Sequence, residues 1–295
     1  MPSKVYQIGD ITVTKIEEQV IPGIPPAYLY PALPADDFAK IEPSLTAEDL
    51  DEKHEGLNIA VHSWLVRASS QIILVDTSSG NQKEHPQNPL FHRLQTPYLE
   101  RLANAGVRPE DVDYVFNTHL HVDHVGWNTC FQDGKWVPTF PNARYVMPSK
   151  ERDYYSSPAS HNEVNIPSLG TYEDSVQPVI EAGLVDFIGP EGGQYLDYFT
   201  FLPTPGHSIG HMSIVFSSKG ANGIFAGDVM HSPAQVARPD INSVFCEFLD
   251  EALISRRKVL DHVVNNDALY FGTHFPGTSV GRITRNGAGF SWKYE

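Results

Sequence analysis

Cysteine is scarce in this 295-residue chain: Cys130 and Cys246 are the only two, far apart and in no CxxC pair. That excludes a disulfide framework and a thiolate metal cluster, and it fits a reducing compartment. Positive charge is scarce too. Lys and Arg number 21 against 36 Asp and Glu, a formal charge of −15. Such a balance disfavours a nucleic-acid backbone or an anionic membrane as partner. Long apolar runs are missing. "IILV" at 72–75 falls far short of the roughly 20 residues that a membrane-spanning helix needs. The opening "MPSKVYQIGDITVTKIEEQ" has no apolar core that could serve as a secretion signal. The expectation is a cytoplasmic protein whose partner is a small molecule.

What the chain does have is a globular composition, with 41% hydrophobic and 19% charged residues. Its length suits one domain over 1–295 carrying insertions. The segment 21–56, "IPGIPPAYLYPALPADDFAKIEPSLTAEDLDEKHEG", is proline-rich and then acidic. Proline at that density breaks strands and helices, so an irregular arm or lid with one short helix is expected there. Tyr28 and Tyr30 are its most notable side chains.

Beyond Gly56 the pattern sharpens. "IAVHSWLVRA" (59–68) and "QIILVDT" (71–77) read as adjacent strands turning at Ser69–Ser70. "QTPYLERLANAGV" reads as a helix with Thr96 as N-cap, Pro97 first, Gly106 as stop, and Leu99, Leu102 and Ala103 buried. "VDYVFNT" (112–118) and "ARYVMP" (143–148) are strands, and "SKERDYYSS" is a short helix capped by Ser149. Strands follow at 198–204, 211–218 and 223–228. A helix over 250–264 buries Leu253, Val259, Leu260 and Val263, and a last strand covers 268–274. This mixture points to α/β layers with sheets at the centre.

One segment stands apart. "FNTHLHVDHVGWN" (116–128) crowds His119, His121, Asp123 and His124 behind the apolar strand "YVF". On an extended backbone, residues two apart point the same way, so His119 and His121 can converge on one ion. A helix starting just after turns Asp123 and His124 towards a second. Imidazole and carboxylate are ligands for zinc, manganese, iron or cobalt. Other strand ends offer the same residue types: His207 in "PTPGHSIGH", Asp228 in "IFAGDV" and His274 in "YFGTH". Loops converging on one edge of a fold are the usual place for a functional site.

"THLHVDH" has the HxHxDH form of the metallo-β-lactamase-fold hydrolases, and "TPGHSIGH", "GD" and "GTH" follow in that superfamily's order. "ILVDTSSG" resembles its "DTG" signature, with Ser78 where glycine is usual. The resemblance runs from about Ile59 to His274. It implies an αββα sandwich, two mixed β-sheets flanked by helices, with metals along one sheet edge. It also implies that His119, His121 and His207 bind one ion, that Asp123, His124 and His274 bind another, and that Asp228 bridges them. Asp76 would orient a ligand histidine. The implied cofactors are two divalent ions, zinc first, with manganese, iron or cobalt as alternatives. Relatives are often dimers, so a homodimer is the assembly it suggests.

Two such ions about 3.5–4 Å apart generate hydroxide at neutral pH and polarise the electrophile. The resemblance therefore implies a dinuclear hydrolase in which a metal-bridging hydroxide attacks a lactone, carboxylic ester or related neutral electrophile. Asp123, Asp228 and His231 are its catalytic candidates. Phosphotriesterase-type or thioester hydrolysis is one alternative, and an iron-dependent thiol oxidoreductase of the same fold is another. Asp228 argues against a true β-lactamase, which lacks an aspartate at that position. N-acyl-homoserine lactonases usually have a tyrosine three residues after it. Here "GDVMH" places His231 there, which looks more like the methyl parathion hydrolase branch. His231 could donate to an oxyanion or leaving group, or hold a neighbouring loop. His211 is expected to be structural, and Cys130 a buried inert thiol. Trp127, Phe131, Trp136, Tyr154, Tyr155 and Phe275 lie near the ligands in sequence, divided between core and pocket.

Overall fold

A computed structural model describes residues 4–295. The chain divides into two compact units, each drawn from separated stretches of sequence. The first takes the N-terminal stretch to Gln19 with Val61–Gly193, and the second takes Val20–Ala60 with Gln194–Glu295.

The first unit is built on a seven-stranded sheet. Its order is Val5–Ile8, Ile11–Ile24, Leu57–Ala68, Gln71–Val75, Tyr114–Phe116, Arg144–Pro148 and Val185–Ile188. Leu57–Ala68 and Gln71–Val75 pair antiparallel, with Trp64 opposite Val75. The last four strands run parallel to one another. Leu57–Ala68 is buried almost throughout, His62 and Ser63 included, so its apolar residues fall on both faces instead of alternating. The helix Tyr98–Asn104 starts after Pro97, and no side chain caps it. Thr96 is not its cap, because its hydroxyl is bonded to Glu18 and Asn81. Tyr98 and Leu102, four apart, are the buried pair, while Ala103 faces solvent. Ser149 likewise lies inside its helix, Ser149–Tyr155, with Pro148 at the cap position. Tyr98, Leu102, Leu65, Leu74, Val115, Tyr145 and Trp127 share one core. Cys130, expected to be buried, is only half-buried, on the hairpin formed by Thr129–Gln132 and Lys135–Pro138.

The second sheet has the order Gly193–Tyr195, Phe199–Pro203, Met212–Ser218, Ala221–Phe225, Leu269–Phe271, Val280–Asn286 and Gly289–Tyr294. It is mixed: Ala221–Phe225 pairs parallel with Leu269–Phe271, and the other recorded pairings are antiparallel. The helix Leu249–Asn265 buries Val259, Leu260 and Val263, each worth about 1.5–3 kcal/mol of apolar transfer. Leu253 is half-buried. Arg256 is fully buried on the same helix, donating to the carbonyls of Val229 and Pro239 and to Asn242.

The 21–56 segment is more regular than its prolines suggest. The strand Ile11–Ile24 runs into it, followed by helices Pro26–Leu29 and Ala35–Ile41 and a 3-10 turn, Glu42–Ser44. Proline opens these elements or precedes them, where its fixed φ and missing N–H cost nothing. Tyr30 is buried with its hydroxyl 2.7 Å from Ser232 Oγ, and the Leu29 carbonyl accepts from the Val244 N–H. Among the described residues no helix is long and apolar enough to cross a membrane.

Candidate metal centre

In the first unit, the parallel strand Tyr114–Phe116 ends, the chain bends at Thr118, and an extended His121 leads into the short helix Val122–Val125. The helix begins just after His121, as read from the sequence, but the strand before it is shorter than the 112–118 expected. The His119 and His121 ring centroids are 4.7 Å apart and those of His119 and His124 are 4.0 Å apart. His124 Nε2 lies 3.7 Å from Asp123 Oδ1. His119, His121 and His124 are buried, whereas Asp123 is partly open.

One carboxylate sets two of these rings. Asp76 Oδ1 accepts from the Thr118 N–H at 2.8 Å, and Oδ2 from the Thr118 hydroxyl at 2.9 Å. His124 Nδ1 is 2.9 Å from the same Oδ2. A carboxylate only accepts, so His124 carries its proton on Nδ1 and keeps Nε2 as the basic nitrogen. The Thr118 hydroxyl, already donating, accepts from His119 Nδ1 at 3.0 Å, which leaves His119 Nε2 basic as well. Fixing ligand tautomers in this way is what residues behind metal ligands do.

The backbone around this motif is crowded. Gly126 packs so closely on the 77–80 segment that a Cβ on it would stand 1.9 Å from the Ser79 carbonyl carbon. Ser78 holds φ at 50°, a left-handed conformation that glycine adopts without penalty. That explains why glycine is usual at this position in the superfamily signature. Glu18, which sequence reasoning passed over, is 2% exposed and accepts from Ser79 N, Trp127 Nε1 and Thr96 Oγ1. Burial raises its pKa against those three donors. It falls two residues after buried Ile16 on a strand, and that spacing was the available signal.

The second unit assembles its own set around Asp228. His207 Nε2, His231 Nε2 and His274 Nε2 lie 3.3, 3.4 and 2.9 Å from Asp228 Oδ2. Atoms that bind one ion at about 2.1 Å stand roughly 3.0–3.4 Å apart when the bonds open at 90–110°. His207, Asp228 and His231 also form a group whose ligand atoms all lie within 4.8 Å of one another. The donor set therefore fits a divalent ion. Asp228 occupies the 3-10 turn Gly227–Val229, and its N–H donates to His211 Nε2 at 2.9 Å. His211 Nδ1 bonds Thr204 in turn, so His211 is structural, as expected. His274 Nδ1 bonds the Ala60 carbonyl at 2.9 Å, leaving Nε2 towards Asp228. His207 follows Gly206 at φ 132°, where a Cβ would meet Ala252 N at 2.1 Å.

His231 is 2% exposed, and neither ring nitrogen has a hydrogen-bond partner among the described residues. Burial lowers its pKa, with the Asp228 carboxylate pulling the other way. Its ring is nearly parallel to His274 at 5.3 Å and lies 5.5 Å from Phe245, which meets Tyr28 edge-on at 6.3 Å. Tyr28, 54% exposed, ends this aromatic row. Of the aromatics noted in the sequence, Trp127, Tyr155 and Phe275 are buried, Trp136 and Tyr154 partly so, and Phe131 half-exposed.

Comparison with known proteins matches residues 58–281 to the model of the metallo-β-lactamase superfamily. An N-acyl homoserine lactonase of Bacillus cereus is 26% identical over 195 residues, 62% of this chain and 66% of the relative. The match thus spans just under two thirds of that relative's length. A Bacillus thuringiensis N-acyl homoserine lactonase is 25% identical over 252 residues, 80% of this chain and 87% of the relative. Among solved structures, the hydrolase AbOPH of the β-lactamase superfamily aligns with a TM-score of 0.83 at 24% identity, covering 100% of this chain and 97% of that one. AidC, a dizinc quorum-quenching lactonase in complex with a product, gives 0.81 at 22%, covering 99% and 97%. The expected α/β class, with mixed sheets flanked by helices, is the fold these structures share. The chain belongs to the metallo-β-lactamase superfamily.

Proposed function

We propose that this protein is a dinuclear metal-dependent hydrolase acting on a lactone, carboxylic ester or related neutral electrophile. Superfamily membership supports reading the two ligand sets as one centre. His119, His121 and His207 would hold one ion, Asp123, His124 and His274 the other, and Asp228 would serve both. When bound, two such ions lower the pKa of water to near neutrality and polarise a carbonyl oxygen. The protein's own part is preorganisation: Asp76 and Thr118 hold the tautomers of His119 and His124, and the Ala60 carbonyl does so for His274.

The single observation that carries the reading is the Asp228 carboxylate with the His207 and His274 imidazole nitrogens 3.3 and 2.9 Å from one of its oxygens. His231, buried beside Asp228 with its pKa lowered by that burial against the pull of the carboxylate, is the donor to the substrate's carbonyl oxygen. It stands where lactonase relatives usually have a tyrosine. Phe245 and Tyr28 set two aromatic rings in a row beside it, which favours a substrate with a hydrophobic portion over a highly charged one.

The test is proton release by metal-loaded protein on a matched panel of lactones, aryl esters and a phosphotriester, with His119→Ala as control. Turnover of a lactone or ester that vanishes in the variant supports the proposal. A phosphotriester alone being hydrolysed, or equal turnover by His119→Ala, overturns it.

A further inference from the structure

His121 is the one histidine of the HxHxDH motif that Asp76 and Thr118 do not reach, and the helix Ser149–Tyr155 braces it. Tyr155, 8% exposed, has its hydroxyl 2.7 Å from His121 Nε2. The rings meet edge-on, with centroids 5.7 Å apart. The Tyr155 hydroxyl also donates to Asn165 Oδ1 at 3.3 Å, and Asn165 is 2% exposed. One turn earlier on the helix, the fully buried Glu151 accepts the Leu120 N–H at 3.2 Å, between the two histidines. A phenol has a single proton. Donating it to Asn165, Tyr155 can only accept from His121, so the imidazole proton sits on Nε2 and Nδ1 becomes the basic nitrogen.

We infer that Tyr155, backed by Asn165, is a positioning residue for metal binding. It fixes the tautomer and orientation of His121, as Asp76 and Thr118 do for the other two histidines. The inference rests on the proposed metal centre but concerns a residue outside its ligand set. The hydrogen bond gives the role a chemical basis beyond packing, because a phenylalanine would fill the same space without holding the proton.

Tyr155→Phe keeps the ring and removes the hydroxyl, so it isolates that bond. Zinc affinity measured by competition with a chromogenic chelator is expected to fall by about 10–100-fold, the usual effect of losing a partner behind a metal ligand. The melting temperature of the metal-free variant should stay near that of the metal-free wild type. Asn165→Ala should weaken zinc in the same direction, and the double variant should lose less than the product of the two, because both act through one bonded chain. Wild-type zinc affinity in Tyr155→Phe would overturn the inference while leaving the metal centre standing. Wild-type protein that binds no zinc would overturn both.

Discussion

Asp76→Asn changes one atom and leaves the backbone undisturbed, because asparagine tolerates the φ of 53° at this position as well as aspartate does. Its effect can be counted. Three donors converge on the carboxylate: the Thr118 N–H, the Thr118 hydroxyl and His124 Nδ1. An amide has one acceptor oxygen and an NH₂ group that must itself donate. If the oxygen keeps the Thr118 N–H, the NH₂ faces the hydroxyl and His124. The imidazole then either loses the bond or moves its proton to Nε2, the nitrogen needed for the metal. Losing a hydrogen bond to a charged group costs about 1.5–3 kcal/mol. This agrees with a drop in metal affinity of about 10–100-fold, or roughly 1.4–2.7 kcal/mol. The assay is chelator competition on protein first shown by circular dichroism to be folded. A folded Asp76→Asn variant that binds zinc as tightly as wild type would refute the account of Asp76 as the keeper of these tautomers.

Gly126→Ala would push a Cβ to 1.9 Å from Ser79. The hydrogen bonds from Thr77 N to His124 O and from Gly126 N to Ser78 O hold both sides in place, so a loss of about 3 kcal/mol or more is expected in urea unfolding. His231→Gln should lower kcat by about 10²-fold with metal content unchanged, the effect of removing one donor to a developing oxyanion. Loss of an ion from that variant would make His231 a ligand instead. The fully buried Lys83 lies over the Trp136 ring, with Nζ 3.4 Å from Asp174 Oδ1, and burial lowers its pKa to about 8. Below pH 8 its ammonium is charged in both states and the burial penalty is fully present. Between pH 8 and 10 it is neutral only when folded, so stability gains up to about 1.4 kcal/mol per pH unit from this group. Urea denaturation across that range should show the gain in wild type relative to Lys83→Met; parallel curves would contradict it.

The proposed ligand residues stand out in the sequence because their side-chain types have little reason to cluster at strand ends unless they bind something, and their order along the chain is distinctive. His119 through His274 announce themselves this way. The residues that organise them are less visible. Glu18 sits within "KIEEQ" and looks like surface charge, though strand period placed it on the face of Ile16. Tyr155 reads as an ordinary aromatic, because a hydroxyl's partner depends on how the helix Ser149–Tyr155 packs. Arg256 and Lys83 break the rule that long cations stay in water, and only their tertiary carbonyl and carboxylate partners make their burial tolerable. The strands Val280–Asn286 and Gly289–Tyr294 went unread, since exposed alternate positions such as Arg282 and Lys293 dilute the apolar signal.

The most direct test of the two-ion claim is to titrate zinc into metal-free protein, following bound metal per chain and hydrolysis of the best lactone or ester in the same samples. The account predicts saturation at two ions, with activity rising fully only as the second site fills. Saturation at one ion with full activity, or hydrolysis by the metal-free chain, would contradict it.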